Sequence, residues 1–210
     1  MAKVSIVLEE GRTRVFARAL GWPGWCRSAK TADLAIDALF EYAPRYAIVA
    51  ELANQRFSVE PAFDVVERLP GDATTEYGAP SARATADSAP LRGEELERQV
   101  RLLEASWAVF DEVAATSTET LRKGPRGGGR DRTKVVLHVL EAERGYVPKI
   151  GVRTKKSEAD DSLTISANRA AVSDALRSGV ADPKWPLRYW IDRSAWHVLD
   201  HAWEIEDKQT

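Results

Sequence analysis

The sequence predicts an α+β fold in which a small N-terminal α/β module precedes a four-helix bundle. Two observations carry this prediction. Apolar and polar residues alternate over residues 3–9 and 14–20, as they do in paired strands. From residue 93 onwards the apolar residues recur at helical spacing in four successive segments. With 44% hydrophobic and 30% charged residues, the chain of 210 residues has an ordinary globular composition and can bury a substantial core.

The N-terminal module continues from this predicted hairpin into a helix. Thr31 is a suitable N-cap, and apolar residues at helical spacing carry the helix to about Gln55. Pro44 predicts a kink or a division into two helices. Residues 57–59 and 63–69 have the pattern of further strand, so we expect the module to end near the proline that follows.

The hairpin, the turn Trp22-Pro23-Gly24-Trp25-Cys26 and a helix opened by Thr31-Ala32-Asp33 resemble the HicB-like antitoxin module. That module has an aromatic-Pro-Gly turn followed by an amphipathic helix that begins at a threonine. The resemblance covers residues 3–55. We regard this module as the candidate binding surface for a protein partner.

The next segment, residues 71–92, changes in composition. It is rich in alanine, serine, threonine, glycine and proline and has few large apolar residues. We interpret it as a linker or as an irregular strap over the surface. This divides the chain into an α/β module at 1–70, a linker at 71–92 and a helical bundle at 93–210.

Four helices are predicted in the bundle. In the first, residues Leu96 to Ala114 follow a repeated 4-3 spacing of apolar positions, typical of a packed helical seam. The longest connection, residues 149–163, separates the second helix from the third, which predicts an up-down-down-up bundle. The predicted helices run from Gly93 to about Lys123, from Asp131 or Thr133 to Pro148, from Ser162 or Thr164 to Gly179, and from about Leu187 to Asp207.

All three histidines of the chain lie on the second and fourth of these helices. His197 and His201 are four residues apart, so a helix places both rings on one face, one turn from each other. At 1.5 Å per residue, His138 lies roughly 10 Å from the start of the second helix, and His201 lies roughly 9 Å from the end of the fourth. If these helices are antiparallel, the three imidazoles meet at one level of the bundle.

Three imidazoles that converge in this way are typical of a metal site. Neutral imidazole is the commonest protein ligand of zinc and also suits iron, nickel and copper. Three histidine ligands leave one coordination position open, which is the pattern of a catalytic rather than a structural site. The alternative is that the histidines are core or boundary residues with ordinary hydrogen bonds.

The bundle with these histidines resembles the DinB/YfiT-like superfamily of metalloenzymes over residues 93–210. In that family one histidine comes from the second helix and a His-x-x-x-His pair from the fourth, which His138, His197 and His201 match. The resemblance implies a divalent metal ion, often zinc or nickel, and frequently a homodimer. Some relatives are S-transferases or isomerases that use a low-molecular-weight thiol such as bacillithiol or mycothiol, so such a thiol is a candidate cofactor.

Two carboxylates are the main candidates for catalysis, and Glu204 is another. Glu141 follows His138 by one helical turn, and Asp200 lies between the paired histidines. Either is a candidate general base, or a partner that fixes the tautomer of a ligating histidine. The alternative for each is a solvated position on a helix surface.

Basic residues near the predicted metal end are candidates for substrate binding. Arg126 and Arg130 lie in a glycine-rich loop that leads into the second helix, and Arg153, Lys155 and Lys156 lie in the crossover. We expect them to bind the carboxylate or phosphate of a small-molecule substrate or thiol cofactor. The alternative is a solvated loop.

Charge and apolar patterning exclude several function classes. The formal net charge of −2 gives no bulk attraction to nucleic acid or to an anionic membrane. No apolar run approaches the roughly 20 residues of a membrane span, and a single cysteine, Cys26, suits a reducing compartment. We expect a cytoplasmic metal-dependent enzyme. Its candidate reactions are thiol S-transfer and hydrolysis. The rival is a non-catalytic partner-binding or stress-response protein with a structural or vestigial metal site.

Overall fold

The computed structural model describes residues 3–124, 128–180 and 183–209 and confirms the predicted α+β architecture. A four-stranded mixed sheet with helices is followed by four long helices that pack as a bundle. The strands are β1 (Lys3–Glu10), β2 (Val15–Ala19), β3 (Cys26–Ala29) and β4 (Ala62–Pro70). The helices are α1 (Ala32–Glu41), α2 (Ala43–Leu52), α3 (Ala73–Tyr77), α4 (Gly93–Thr116), α5 (Arg132–Tyr146), α6 (Ser162–Ser178) and α7 (Leu187–Asp207).

The sheet has the strand order β3-β2-β1-β4. The predicted hairpin is confirmed, because β1 and β2 pair antiparallel with Ile6 opposite Ala19. Strand β4 pairs parallel to β1 on the other side. The strand predicted at residues 57–59 is wrong, since the ring of Phe57 packs edge-on against Trp22, 5.0 Å between centroids, in an aromatic cluster. Strand β3, which follows the Trp-Pro-Gly-Trp turn directly, was not predicted.

Helices α1 and α2 cover one face of the sheet. The predicted cap is confirmed, because the Thr31 hydroxyl accepts a hydrogen bond from the backbone N–H of Leu34. Pro44 lies in the first turn of α2, where a missing N–H costs nothing, and so divides the predicted helix in two. Tyr46 is fully buried and stacks on Trp25, which fixes the turn before β3 against the helices.

The segment between the sheet and the bundle is ordered and fastened to the sheet. The carboxylate of Glu9 accepts hydrogen bonds from the backbone N–H groups of Ser81 and Ala82. Asp87 is buried and accepts two hydrogen bonds from Arg18 of β2. Residues 71–92 therefore form a strap across the second face of the sheet.

The sheet is joined to α7 by a buried ion cluster, which consists of Arg18, Asp87 and Asp192. Arg18 bonds to both carboxylates at 2.8 Å, and Asp192 also accepts the backbone N–H of Gly24. Gly24 has φ +87°, and a Cβ on it would lie 2.8 Å from Leu199, so only glycine fits here.

The apolar core runs without interruption from the sheet into the bundle. The domain boundaries at residues 70 and 93 stay a prediction.

Contacts at the helix ends establish the up-down-down-up order. Arg132 at the start of α5 donates to carbonyl groups at the end of α4, so these helices are antiparallel. Arg177 at the end of α6 pairs with Glu97 near the start of α4. Arg188 at the start of α7 pairs with Glu95 near the start of α4, so α4 and α7 are parallel.

Helix α4 ends at Thr116, earlier than the predicted Lys123. The hydroxyls of Thr116 and Ser117 donate to the carbonyl groups of Glu112 and Val113, and this local competition ends the helix in a Thr/Ser-rich run. Among the residues that the structure describes, no helix combines the length and apolarity that a membrane span requires.

Candidate metal centre

The candidate site is built on α7 and α5, which run antiparallel through the bundle. Helix α7 is buried on most of its circumference, because apolar residues such as Val198, Leu199 and Trp203 occupy several of its faces. His197 and His201 share the face toward α5. Helix α5 turns Val135 and Val139 into the core and presents His138 at the same level.

The three histidines form one compact group, the histidine cluster (His138, His197 and His201). The ring centroids are 5.1, 4.9 and 4.7 Å apart. Each ring offers one nitrogen that lies within 4.8 Å of those of the other two. The expectation that the three imidazoles meet at one level is therefore confirmed, and the cluster has the geometry to hold a metal ion.

Burial disfavours the charged form of two histidines of the cluster, His138 and His197. His197 is only 8% exposed, and burial lowers its pKa well below the usual value, with a further contribution from the neighbouring His201. Burial, His201 and Arg130 also lower the pKa of His138. A metal ion needs the neutral form of imidazole, so the environment of His138 and His197 favours metal binding over protonation.

The hydrogen bonds around the cluster fit a metal ligand set. The Nδ1 atom of His201 lies 2.7 Å from the carboxylate of Glu204, whose pKa this contact lowers to about 2. Because an ionised carboxylate only accepts, Nδ1 of His201 donates in this contact, which leaves Nε2 as the nitrogen of His201 available to an ion. The Nδ1 atom of His197 is buried without any hydrogen-bond partner. A buried polar atom that is left unpaired is costly unless an ion or water completes it, so the residues present fit a divalent ion.

Neither of the two predicted catalytic carboxylates belongs to the cluster of possible ligands in the described part of the chain. Asp200 points toward the sheet and pairs with Arg27 of β3 at 2.9 Å. Glu141 is exposed and lies close enough to His138 to influence its pKa. The structure thus brings Glu141 near the cluster and holds Asp200 at the contact between α7 and β3.

The glycine-rich loop is described only in part. Arg126 lies outside the described residues. Arg130 is exposed, and its positive charge is one of the causes that lower the pKa of both His138 and His197. A guanidinium near the cluster can therefore attract an anionic group to this end of the bundle.

The sequence offered Glu204 only as a further candidate carboxylate and did not predict the contact of Asp200 with Arg27. Glu204 holds His201, and its spacing of three residues on one helix was the available signal. Arg27 engages Asp200 across the sheet–bundle contact, and no local pattern indicates such a long-range pair. Cys26 is fully buried, and burial raises its pKa well above the usual value, so it lacks the character of a reactive thiol.

Comparison of the chain with protein-family models, with curated proteins and with solved structures found no match.

Proposed function

We propose that this chain is a metal-dependent enzyme of the DinB-like type, in which His138, His197 and His201 hold a divalent ion, zinc or nickel. One observation carries the proposal, namely the convergence of three imidazoles from two helices, with one nitrogen of each within 4.8 Å of the others. The described residues add no carboxylate or thiolate to this group, and three ligands leave an open position for a substrate. A bound divalent ion supplies Lewis-acid chemistry there and lowers the pKa of a ligating water or thiol.

The helical topology supports the DinB-like assignment. In that superfamily the first histidine lies on the second bundle helix and the pair lies on the fourth, as in this chain. The bundle order up-down-down-up agrees with the same resemblance. The proposed reaction is transfer of a low-molecular-weight thiol or hydrolysis of a small substrate.

The neighbouring residues have separate proposed roles. Glu204 orients His201 by accepting the proton-bearing Nδ1. Glu141 is the preferred general base, because it is exposed beside the cluster and forms no ion pair within the described ranges. Asp200 is held by Arg27, which makes it the weaker of the two candidates. Arg130, together with Arg126, is proposed to bind an anionic group of the substrate.

The metal content of tag-free protein tests the proposal. Plasma mass spectrometry is expected to find about one divalent ion per chain, and the variant His197→Ala/His201→Ala is expected to lose it. Glu206→Ala is the matched control, since Glu206 is an exposed residue of α7 outside the cluster. If neither protein holds an ion or takes one up from added zinc or nickel, the histidines are packing residues and the proposal fails.

Activity is tested next, with metal-loaded and metal-stripped protein in assays of thiol conjugation and ester or amide hydrolysis. Turnover that needs both the ion and Glu141 supports the enzyme. A bound ion without turnover favours the rival, a non-catalytic partner-binding or stress-response protein.

A specific surface favours that rival. Helices α1 and α2 expose four large apolar side chains, Leu34, Phe40, Ile48 and Leu52, to between 44% and 58%. Ile48 and Leu52 lie one turn apart on the same face of α2, and apolar side chains that are exposed together mark candidate interaction sites. In the rival function this face binds a protein partner, or a second copy of the chain in a homodimer.

A further inference from the structure

A cavity of about 320 Å³ lies between the helices of the bundle. Helices α5 and α6 form its sides, α4 and α7 form its back, and the crossover after α5 covers it. Its volume falls within the range of small-molecule sites, roughly 300–1,000 Å³. The apolar part of its wall is formed by Trp107, Leu140, Val147, Ile165, Val172 and Trp190.

The cavity exists because α6 stands away from α5. Ion pairs hold α6 to α4, from Arg169 to Asp111 and from Arg177 to Glu97. Arg169 is the residue of α6 that also reaches across to α5, where it pairs with Glu143 at 3.1 Å. Between α5 and α6 a second space shares Leu137, Leu140 and Ile165 with the first. Protein interiors are otherwise packed to crystal-like density, so an apolar space of this size is a feature that needs an occupant.

One buried polar group faces this space without a partner. Ser194 lines the cavity, is 4% exposed, and its hydroxyl makes no hydrogen bond. The indole N–H of Trp107, also in the wall, is buried without a well-formed hydrogen bond and faces Glu143. A hydroxyl can donate and accept, whereas an indole N–H only donates. An occupant that offers a hydrogen-bond acceptor would satisfy Ser194.

The rim of the cavity carries excess positive charge. Lys155, Lys156 and Arg144 lie there with Glu141 and Glu158. Lys156 pairs with Glu158 at 3.4 Å. Within residues 3–124, 128–180 and 183–209, Arg144 and Lys155 form no ion pair, which leaves two cations against the single carboxylate of Glu141. This balance favours an anionic group at the rim.

We propose that the cavity binds an organic acid with an aromatic or branched apolar body, which fills the space between α5 and α6. Its carboxylate lies at Lys155 and Arg144, and an acceptor atom of its body reaches Ser194. Ser194 precedes His201 by seven residues, two turns along the same stripe of α7, and Glu141 belongs to both the rim and the vicinity of His138. No histidine of the cluster lines the cavity itself, so Ser194 and Glu141 are the links between the two, and the identification of this acid as the substrate rests on the proposed function.

Calorimetric titration of metal-free full-length protein tests the binding itself. The probes are 4-phenylbutyrate and 4-phenylbutylamine, which share an apolar body and differ in the sign of their charge. The acid is expected to bind at least about tenfold more tightly than the amine. The titration is repeated with His197→Ala/His201→Ala, so that a carboxylate bound directly to an ion is not mistaken for occupancy of the cavity.

Two variants locate the ligand. Lys155→Glu is expected to weaken binding of the acid about tenfold, whereas Lys30→Glu changes the net charge equally on the distant N-terminal module and is expected to change nothing. Val172→Trp fills the cavity and is expected to abolish binding of both probes. If it fails to fold, Lys155→Glu still decides.

The proposal is overturned if the acid shows no saturable binding in the millimolar range, or if Lys155→Glu and Lys30→Glu bind it equally well. Either result leaves the metal content of the chain untouched. Conversely, binding of the acid to a protein that never takes up a metal supports the cavity and rejects the proposed enzyme. The two proposals therefore fail separately.

Discussion

Helix α7 carries two buried polar clusters, and they differ in how completely their atoms are paired. In the ion cluster, Arg18 bonds to Asp87 and Asp192, and Asp192 also accepts from Gly24. No side-chain nitrogen or oxygen of these three residues is buried without a partner. His197 follows Asp192 by five residues on α7, and its buried Nδ1 atom has no hydrogen-bond partner.

The difference separates a structural cluster from a candidate binding site on one helix. A fully paired cluster holds the sheet against the bundle, and it is complete as it stands. The histidine cluster is also held by packed helices, yet the buried Nδ1 of His197 is left without a partner, and a bound ion or water would complete it. Buried polar groups that lack partners are rare in folded proteins and therefore mark candidate binding sites.

The largest expected effect concerns the ion cluster. Arg18→Met leaves two buried carboxylates facing each other without a cation, so we expect the free energy of unfolding to fall by about 3 to 5 kcal/mol. The measurement is urea denaturation followed by circular dichroism. Arg177→Met is the matched control, because Arg177 also pairs with two carboxylates but is 36% exposed, and its loss should cost at most about 1 kcal/mol. If both variants lower the free energy of unfolding equally, the buried ion cluster stabilises the fold no more than an exposed ion pair does.

Metal linkage gives the next largest effect, at the histidine cluster. Zinc added at about 100 times its dissociation constant should raise the free energy of unfolding by about 2.7 kcal/mol, because it binds only the folded site. The increase should vanish in His197→Ala/His201→Ala and persist in Glu206→Ala. An equal increase in all three proteins would place the ion elsewhere on the chain.

The two clusters also differ in how far the sequence predicts them. Helical spacing alone placed His197 and His201 on one face and His138 at the same level, because the rise per residue of a helix is constant. The ion cluster joins a strand, a strap and a helix that are distant in sequence, and no periodicity connects Arg18 with Asp87 or Asp192. Local patterns predict local geometry, and they do not predict which surfaces meet.

The same distinction holds for the fold. The hairpin, the Thr31 cap and the division at Pro44 follow from local rules and are confirmed. Strand β3 has only four residues, and its place at the sheet edge depends on pairing with β2. Asp200 shows this at the site, since its sequence position between the histidines suggested catalysis while its long-range partner is Arg27.

The role of Glu204 is tested by Glu204→Gln. The amide keeps the shape of the side chain but loses the charge that favours a proton on Nδ1 of His201, so we expect the affinity for zinc to fall about 10- to 100-fold. Competition with a chromogenic chelator measures this. Glu206→Gln is the control, because it removes the same charge two residues further along α7, on another face of the helix. Unchanged affinity in Glu204→Gln would mean that His201 is oriented by packing alone.

The pH dependence of stability distinguishes the two clusters without mutation. Burial lowers the pKa of His197 and His138 in the folded protein, so below about pH 6.5 the unfolded chain binds protons that the folded chain does not. Metal-free protein should therefore keep its full stability above about pH 6.5. As the pH falls from there toward the folded pKa of His197, it should lose up to about 1.4 kcal/mol per pH unit for that residue. His138 is more exposed and contributes less.

Denaturation in the presence of a chelator, at about pH 7 and about pH 5.5, measures this slope. His197→Asn should flatten it, since the titrating group is gone. A slope that is identical in His197→Asn and the natural protein would assign it to other groups.

The smallest expected effect on stability is that of Asp200→Ala, which tests whether Asp200 acts with the two histidines that flank it in sequence. The Asp200 side chain is 37% exposed and its partner Arg27 is 20% exposed, so the pair lies near solvent and its loss in Asp200→Ala should cost only about 0.2 to 1 kcal/mol. Zinc affinity should not change, because Asp200 faces the sheet. Turnover by the proposed enzyme should also be retained in Asp200→Ala and lost in Glu141→Gln. The reverse order of the two variants in a steady-state assay would make Asp200 the base, and it would require the pair with Arg27 to open when substrate binds.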